Sequence, residues 1–348
     1  MRMFTWGWAA LIGLVMTGCA PQEQKTSGSA ATPDGEKRLT VGIVFDSGGR
    51  GDKSFNDSAW AGIERAKKEF RIEESAVESK SANDYQTNLA ALADKGCELV
   101  IAVGINMKAS LEKVAPNYPQ TKFAIVDAPV EMPNVRSLLF KEEEGSFLAG
   151  YLAGLMTKSG KIGFVGGQQL PLIKKFEAGY AAGAKTARRD VTLLPPKYTG
   201  SWDNVDAAKA TATLLFNDGA DVVYHAAGRA GLGVIRAAAE QNKFAIGVDS
   251  DQDDIEPGAV LTSMIKRVDE AVFLTIKDLK EGKFAAGSTV YDLAAGGVGL
   301  SEMRHTRDKI GPERLAKVEA IAAKIKSGDI KAPSTSDELR AYLATLTP

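Results

Sequence analysis

The sequence predicts an α/β protein built from two doubly wound parallel sheets, and three observations carry that prediction. From residue 38 onward, short and nearly continuous apolar runs rich in β-branched residues alternate with amphipathic stretches. That is the pattern of strands buried on both faces and of the helices that cover them. The runs are too many for one compact doubly wound sheet, so two sheets, each with its own helices, fit better. The length of 348 residues, at roughly 150 residues per domain, leads independently to two domains and can support a large core.

The chain opens with a targeting segment over residues 1–18. Arg2 supplies a positive start, and Phe4 to Met16 supply 13 largely apolar residues, too few for the ~20 that a membrane-spanning helix needs. The run ends Met16, Thr17, Gly18, Cys19, which resembles a bacterial lipobox, whose cysteine becomes a lipidated N-terminus. The alternative is an ordinary secretory cleavage site, but an unpaired cysteine at a signal-peptide end has few other uses. Residues 19–37 therefore read as a lipidated Cys19 and a flexible tether, rich in Ala, Ser, Thr, Gly, Pro and charge, without apolar periodicity.

The folded part begins with Leu39 to Phe45 (LTVGIVF), a run expected of a strand buried on both faces. Residues 54–70 follow as a helix, with Ser54 at the N-cap and Ala59, Ile63, Ala66 and Phe70 on one face. The strand pattern recurs at 98–103, 122–126, 161–165, 221–224 and 244–248, with helices at 83–95, 106–115, 142–158, 172–188, 203–217 and 229–241. Helix 142–158 carries Glu142, Glu143 and Glu144 at its positive end. Its Gly150 and Gly154 form a GxxxG in an apolar run too short for a membrane span, so close packing against a sheet is expected. Cys97, just before an apolar strand, reads as a small buried residue with a free thiol.

Composition excludes several chemistries. Lys plus Arg number 43 and Asp plus Glu 44, without the basic excess of a nucleic-acid protein. Two cysteines and two histidines leave no disulfide scaffold, no Cys-rich zinc site and little material for a histidine-based catalytic centre. No GxSxG elbow occurs.

In open parallel sheets, ligands sit beyond the carboxyl ends of the strands. After the first strand come Asp46, Ser47, Gly48, Gly49, Arg50, Gly51, Asp52, Lys53, Ser54, Phe55 and Asn56. Asp52 interrupts a Walker A match, and Phe55 stands where a dinucleotide fingerprint needs its third glycine. Arg50, Gly51 and Asp52 spell an adhesion tripeptide, a weak three-residue match. Asp46, Phe55 and Asn56 together offer a carboxylate, an aromatic face and an amide, a set suited to a planar polar ring. Other strand ends contribute Gly104 and Asn106, Asp127, Gly228 and Asp249, and Lys266 follows a further apolar run. The acidic stretch Asp249 to Asp254 lacks the glycine and the glutamate of a calcium loop, so it reads as a solvated loop with only Asp249 facing the cleft. His225 reads as a hydrogen-bonded structural residue.

Longer blocks carry a resemblance. The segments 52–56 (DKSFN), 140–150 (FKEEEGSFLAG), 160–166 (GKIGFVG), 176–180 (FEAGY), 247–251 (GVDSD) and 263–269 (SMIKRVD), in this order over residues 38–330, resemble the basic membrane protein family. Its best understood members are purine nucleoside receptor lipoproteins. The resemblance implies a type I periplasmic-binding-protein fold of two α/β lobes with the ligand between them, and delivery of that ligand to an ABC permease. It implies that Phe55 and Phe176 sandwich a nucleobase, that Asn56 and Asp127 bond its edge beside Asp46, that Asp249 accepts both ribose hydroxyls, and that Lys266 and Gly228 complete the sugar site. The expected lobes are 38–142 with 267–288, and 143–266 with 289–348.

The protein is thus expected to be a monomeric, lipid-anchored extracytoplasmic receptor that binds a nucleoside without transforming it. It needs no cofactor, metal or nucleic acid. Three alternatives stay open: a receptor for another flat polyhydroxylated ligand such as riboflavin, a nucleoside-cleaving enzyme, and a signalling or adhesion lipoprotein.

Overall fold

The computed structural model describes residues 38–346; the targeting segment, Cys19 and the tether lie outside them. Each long apolar run becomes a strand buried along all or nearly all of its length. The strands β1 (Thr40–Phe45), β2 (Glu73–Glu78), β3 (Leu99–Val103), β4 (Lys122–Val126) and β5 (Val135–Phe140) belong to a first sheet. A second takes β6 (Lys161–Gly166), β7 (Thr192–Leu193), β8 (Lys197–Tyr198), β9 (Val222–Ala226), β10 (Phe244–Asp249) and β11 (Val260–Lys266). The chain then adds β12 (Gly287–Tyr291) to the first sheet and β13 (Val298–Leu300) to the second.

The first sheet runs β12-β5-β4-β3-β1-β2 and the second β13-β11-β10-β9-β6-β7, with β8 also pairing β6. All pairings are parallel except that of β13 with β11. The two orders correspond strand for strand, so each tip in one half has a counterpart in the other: β4 matches β10, and β1 matches β6. The chain passes between the sheets three times, after β5, after β11 and between β12 and β13. Because β12 pairs with β5 up to Tyr291, the last segment of the first sheet runs past residue 288, where the sequence placed a lobe boundary.

The helices are α1 (Phe55–Phe70), α2 (Tyr85–Asp94), α3 (Lys108–Val114), α4 (Glu142–Met156), α5 (Pro171–Ala187), α6 (Val205–Asn217), α7 (Gly231–Glu240), α8 (Val268–Lys280), α9 (Arg307–Ile310), α10 (Pro312–Lys326) and α11 (Ser336–Thr345). The GxxxG of α4 packs on helix α5, not on a sheet. A Cβ at Gly150 would stand 1.9 Å from the carbonyl oxygen of Tyr180, and one at Gly183 of α5 would stand 1.9 Å from that of Phe147. Gly179 meets Glu143 the same way at 2.2 Å. Glycines on both helices bring the two backbones into direct contact, which the sequence of α4 alone did not reveal.

Two other expectations need correction. Ser54 occupies the N-cap position of α1, but its side chain caps nothing. Instead the buried Asp52 carboxylate accepts from the backbone N–H groups of Ser54, Asn56 and Asp57 at 2.8–3.1 Å. The loop 249–254 is not all solvated either: Gln252 and Asp253 are each 1 % exposed. Asp253 accepts from Ser301 and from the backbone of Arg304. Cys97 is buried and free, as expected.

Candidate functional site

The tips of both sheets meet around a pocket enclosing about 590 Å³ of space free of atoms, open solvent at its mouth included. All eight residues singled out in the sequence, Asp46, Phe55, Asn56, Asp127, Phe176, Gly228, Asp249 and Lys266, line it.

One wall is the turn that follows β1. Asp46 accepts from the Gly48 N–H and from Asn56 Nδ2, each at 2.9 Å. Asn56 Nδ2 also donates to Asp52 at 3.1 Å. Two carboxylates therefore fix the amide with its nitrogen toward them. Asn56 Oδ1, buried and without a hydrogen-bond partner among the described residues, is left as an acceptor. Phe55 follows because α1 begins there. Asp52 is fully engaged in capping α1, so the tripeptide 50–52 cannot present its carboxylate for adhesion.

The corresponding tips of β4 and β10 each end in an aspartate with left-handed backbone, Asp127 at φ 72° and Asp249 at φ 64°. Non-glycine residues seldom adopt this conformation, and it is costly enough to mark sites where a side chain must be aimed. Asp249 accepts from Ser54 Oγ at 2.5 Å. Lys266, at the end of β11, donates to Asp127 at 2.7 Å and lies 3.1 Å from Glu142. Glu142 in turn pairs with Lys175 at 2.6 Å. The Lys266 ammonium also stands 5.2 Å from the ring centre of Phe55 and 5.6 Å from that of Phe176, within cation–π reach of both.

Burial sets the charges. It pushes the Asp46 carboxyl up to about 6 against the hydrogen bonds of Asn56 and Gly48. It pushes Asp127 up to about 6 and Asp249 up to about 7, with Lys266 opposing in both cases. Burial works against the charge of Lys266, yet Asp127, Glu142 and Asp249 hold it firmly protonated. The pocket thus presents desolvated acceptors and, in Lys266, a fixed cation close to the rings of Phe55 and Phe176. That arrangement can bind a flat ligand carrying N–H and O–H donors.

Sequence reasoning missed Trp202 and Arg229, which also line the pocket. Trp202 lies in the irregular segment between β8 and α6, where no periodicity marks it; its carbonyl accepts from the Ala230 N–H at 2.9 Å. Arg229 follows Gly228, whose positive φ of 56° turns the chain after β9. His225 stays out of the pocket: it is fully buried, faces Gln252 at 3.1 Å, and burial lowers its pKa to about 4. No group of three or more metal-ligating side chains is found among the described residues.

Two matched α/β halves with an acceptor-rich pocket at their facing strand tips define a solute-binding protein of the type I periplasmic-binding fold. The crystal structure of an ABC transporter system solute-binding protein from Aeropyrum pernix K1 is similar, with a TM-score of 0.80 at 31% identity, covering 88% of this chain and 98% of that one. The model of the Bmp family, described as ABC transporter substrate-binding protein PnrA-like, matches residues 39–336, and the chain belongs to that family. Curated relatives include an ABC transporter nucleoside-binding protein, BmpA, of Lactococcus lactis, 35% identical over 89% of this chain and 94% of its own. A CD4+ T-cell-stimulating antigen of Listeria innocua is 36% identical over 92% of this chain and 95% of its own.

Proposed function

We propose that this substrate-binding protein captures a nucleoside, a purine riboside first of all, holds it without chemical change and passes it to an ABC permease. The observation that carries the proposal is the pairing of two phenylalanines, one from each half, with a buried carboxylate at the tip of β10. Stacking on an aromatic face is worth about 1–3 kcal/mol per base. A carboxylate accepts two hydrogen bonds at once, which suits the vicinal diol of a ribose, and such charge-assisted bonds are strong. Asn56 Oδ1 and the Asp46 carboxylate supply acceptors for the N–H groups of a base edge. The two sheets with their helices act as lobes that close on the ligand, and the three crossings between them act as the hinge. The lipidated Cys19 tethers the receptor to a membrane of the cell envelope, with the folded part extracytoplasmic; among the described residues no helix is long and apolar enough to cross one.

Calorimetry with guanosine and its 2′,3′-dideoxy analogue tests this reading. The riboside is expected to bind at one site, and the dideoxy compound at least ~100-fold more weakly, a gap of ~2.7 kcal/mol. Equal binding of the two would remove the role of Asp249. Incubation with inosine should release no hypoxanthine; turnover would make the protein an enzyme.

A further inference from the structure

The glycine-rich turn after β1 is held from across the cleft. Arg229, in the turn after β9, donates from Nε to the carbonyl oxygen of Gly48 at 2.8 Å and from Nη2 to that of Arg50 at 2.6 Å. The acceptors are backbone atoms, presented toward the second half because Gly49 and Gly51 take positive φ values of 61° and 83°. The Arg50 side chain is turned the other way, onto Glu78 at 2.8 Å and over the Trp60 ring at 4.8 Å. The turn is therefore anchored in the first half by its side chain and gripped by the second half through its main chain.

We infer that Arg229 is the latch of this cleft, a positioning residue that fixes the 48–51 turn over the bound solute and so governs how long the solute stays. Three features support the assignment. The guanidinium has no carboxylate partner among the described residues, so its charge strengthens the two bonds to Gly48 and Arg50 rather than an ion pair. The bonds join the two halves far from the crossings: β1 lies three strand spacings, roughly 14 Å, from β5. A rigid-body opening that leaves Lys266 and Asp127 together at the hinge strands would separate Arg229 from its acceptors. The gripped turn also begins two residues after Asp46 and holds the Asp46 carboxylate through the Gly48 N–H, so the latch fixes a wall of the pocket as well as its mouth.

A latch acts on release more than on recognition, and in related complexes affinity differences fall mostly on the dissociation rate. The inference rests on the nucleoside reading for its ligand but not for its mechanics, and the test separates the two. Stopped-flow fluorescence, with Trp202 in the pocket as the reporter, measures guanosine dissociation from the wild-type full chain, Arg229→Lys and Arg229→Met. Hydrogen exchange of the same three proteins without guanosine compares the 46–54 segment with the core strand β3. The latch requires dissociation at least ~10-fold faster in Arg229→Met, with Arg229→Lys in between. It also requires faster exchange in 46–54 with no change in β3. Dissociation within about two-fold of wild type would overturn it. So would exchange that rises equally in 46–54 and β3, because Arg229 would then only support the fold. Should wild type give no guanosine signal, the nucleoside reading fails, and the exchange comparison alone decides the latch.

Discussion

Replacing Asp249 with Asn should make the unliganded protein more stable at neutral and alkaline pH while weakening its hold on ribosides. Asp249 is 6 % exposed, and burial raises its pKa from 3.8 to about 7 despite Lys266 and the Ser54 hydroxyl. At 1.36 kcal/mol per pKa unit, the ionised native form carries a penalty of about 4 kcal/mol relative to the unfolded chain. Between about pH 4 and pH 7 the native state retains this proton while the unfolded chain has released it. The contribution of Asp249 therefore favours folding fully at low pH and is lost as the pH rises to about 7. Asn does not titrate, keeps an oxygen for Ser54 Oγ, and tolerates the left-handed backbone at φ 64°. Urea unfolding of both proteins at about pH 4.5 and pH 8 should show the stability advantage of Asp249→Asn growing by about 3 kcal/mol with pH, since the unfolded chain has already released most of this proton at pH 4.5. Asp46 titrates near the same range in both proteins, whereas Asp127 repels the Asp249 charge and shares Lys266 with it, so the difference between the two curves reports Asp249 together with its coupling to Asp127. A gap that stays constant or shrinks toward pH 8 would refute the desolvation argument.

Other expectations follow from the same geometry. A 5′-monophosphate adds close to two negative charges to a pocket lined by Asp46, Asp52, Asp127 and Asp249 against Lys266 and the engaged Arg229, so calorimetry should find guanosine at least ~100-fold tighter than its monophosphate, ~2.7 kcal/mol; equal affinities would count against the charge argument. Gly183→Ala, whose Cβ would stand 1.9 Å from the Phe147 carbonyl oxygen, must push α5 off α4 and should cost about 3 kcal/mol in denaturant unfolding, towards the upper end of overpacking penalties. Cys19→Ser should move the protein from the membrane pellet to the soluble fraction after a high-salt wash, and retention in the pellet would rule out the lipobox reading.

Most buried strands were legible because a parallel sheet covered on both faces leaves an unbroken apolar run, as in Leu99–Val103; β5 is just as buried but was not read, because Arg136 and Ser137 break its run. The edges were not. β2, Glu-Glu-Ser-Ala-Val-Glu over Glu73–Glu78, has one sheet neighbour and an exposed flank, so its sequence carries no alternation strong enough to read. β12, at the opposite edge, is likewise largely exposed. The polar residues at strand tips were found because topology alone sends ligands there, and Asp127 and Asp249 occupy equivalent tips of the two sheets. Trp202 escaped because it lies in an irregular segment, and Arg229 because it sits in the short turn of 3-10 helix Gly228–Ala230, where the sequence reads only the start of the helix that follows. Asp52 escaped because its three backbone bonds exist only after the turn has closed on α1. For Gly179 and Gly183 the signal was present, but its partner, the α4 backbone, lies more than thirty residues away.

The most direct measurement is mass spectrometry of the solute released on denaturing protein that was purified from its own cells without unfolding. A purine nucleoside, in amounts approaching one per protein chain and reduced in Phe55→Ala and Asp249→Ala, is the predicted result. A flavin, a sugar or an amino acid in its place would contradict the account.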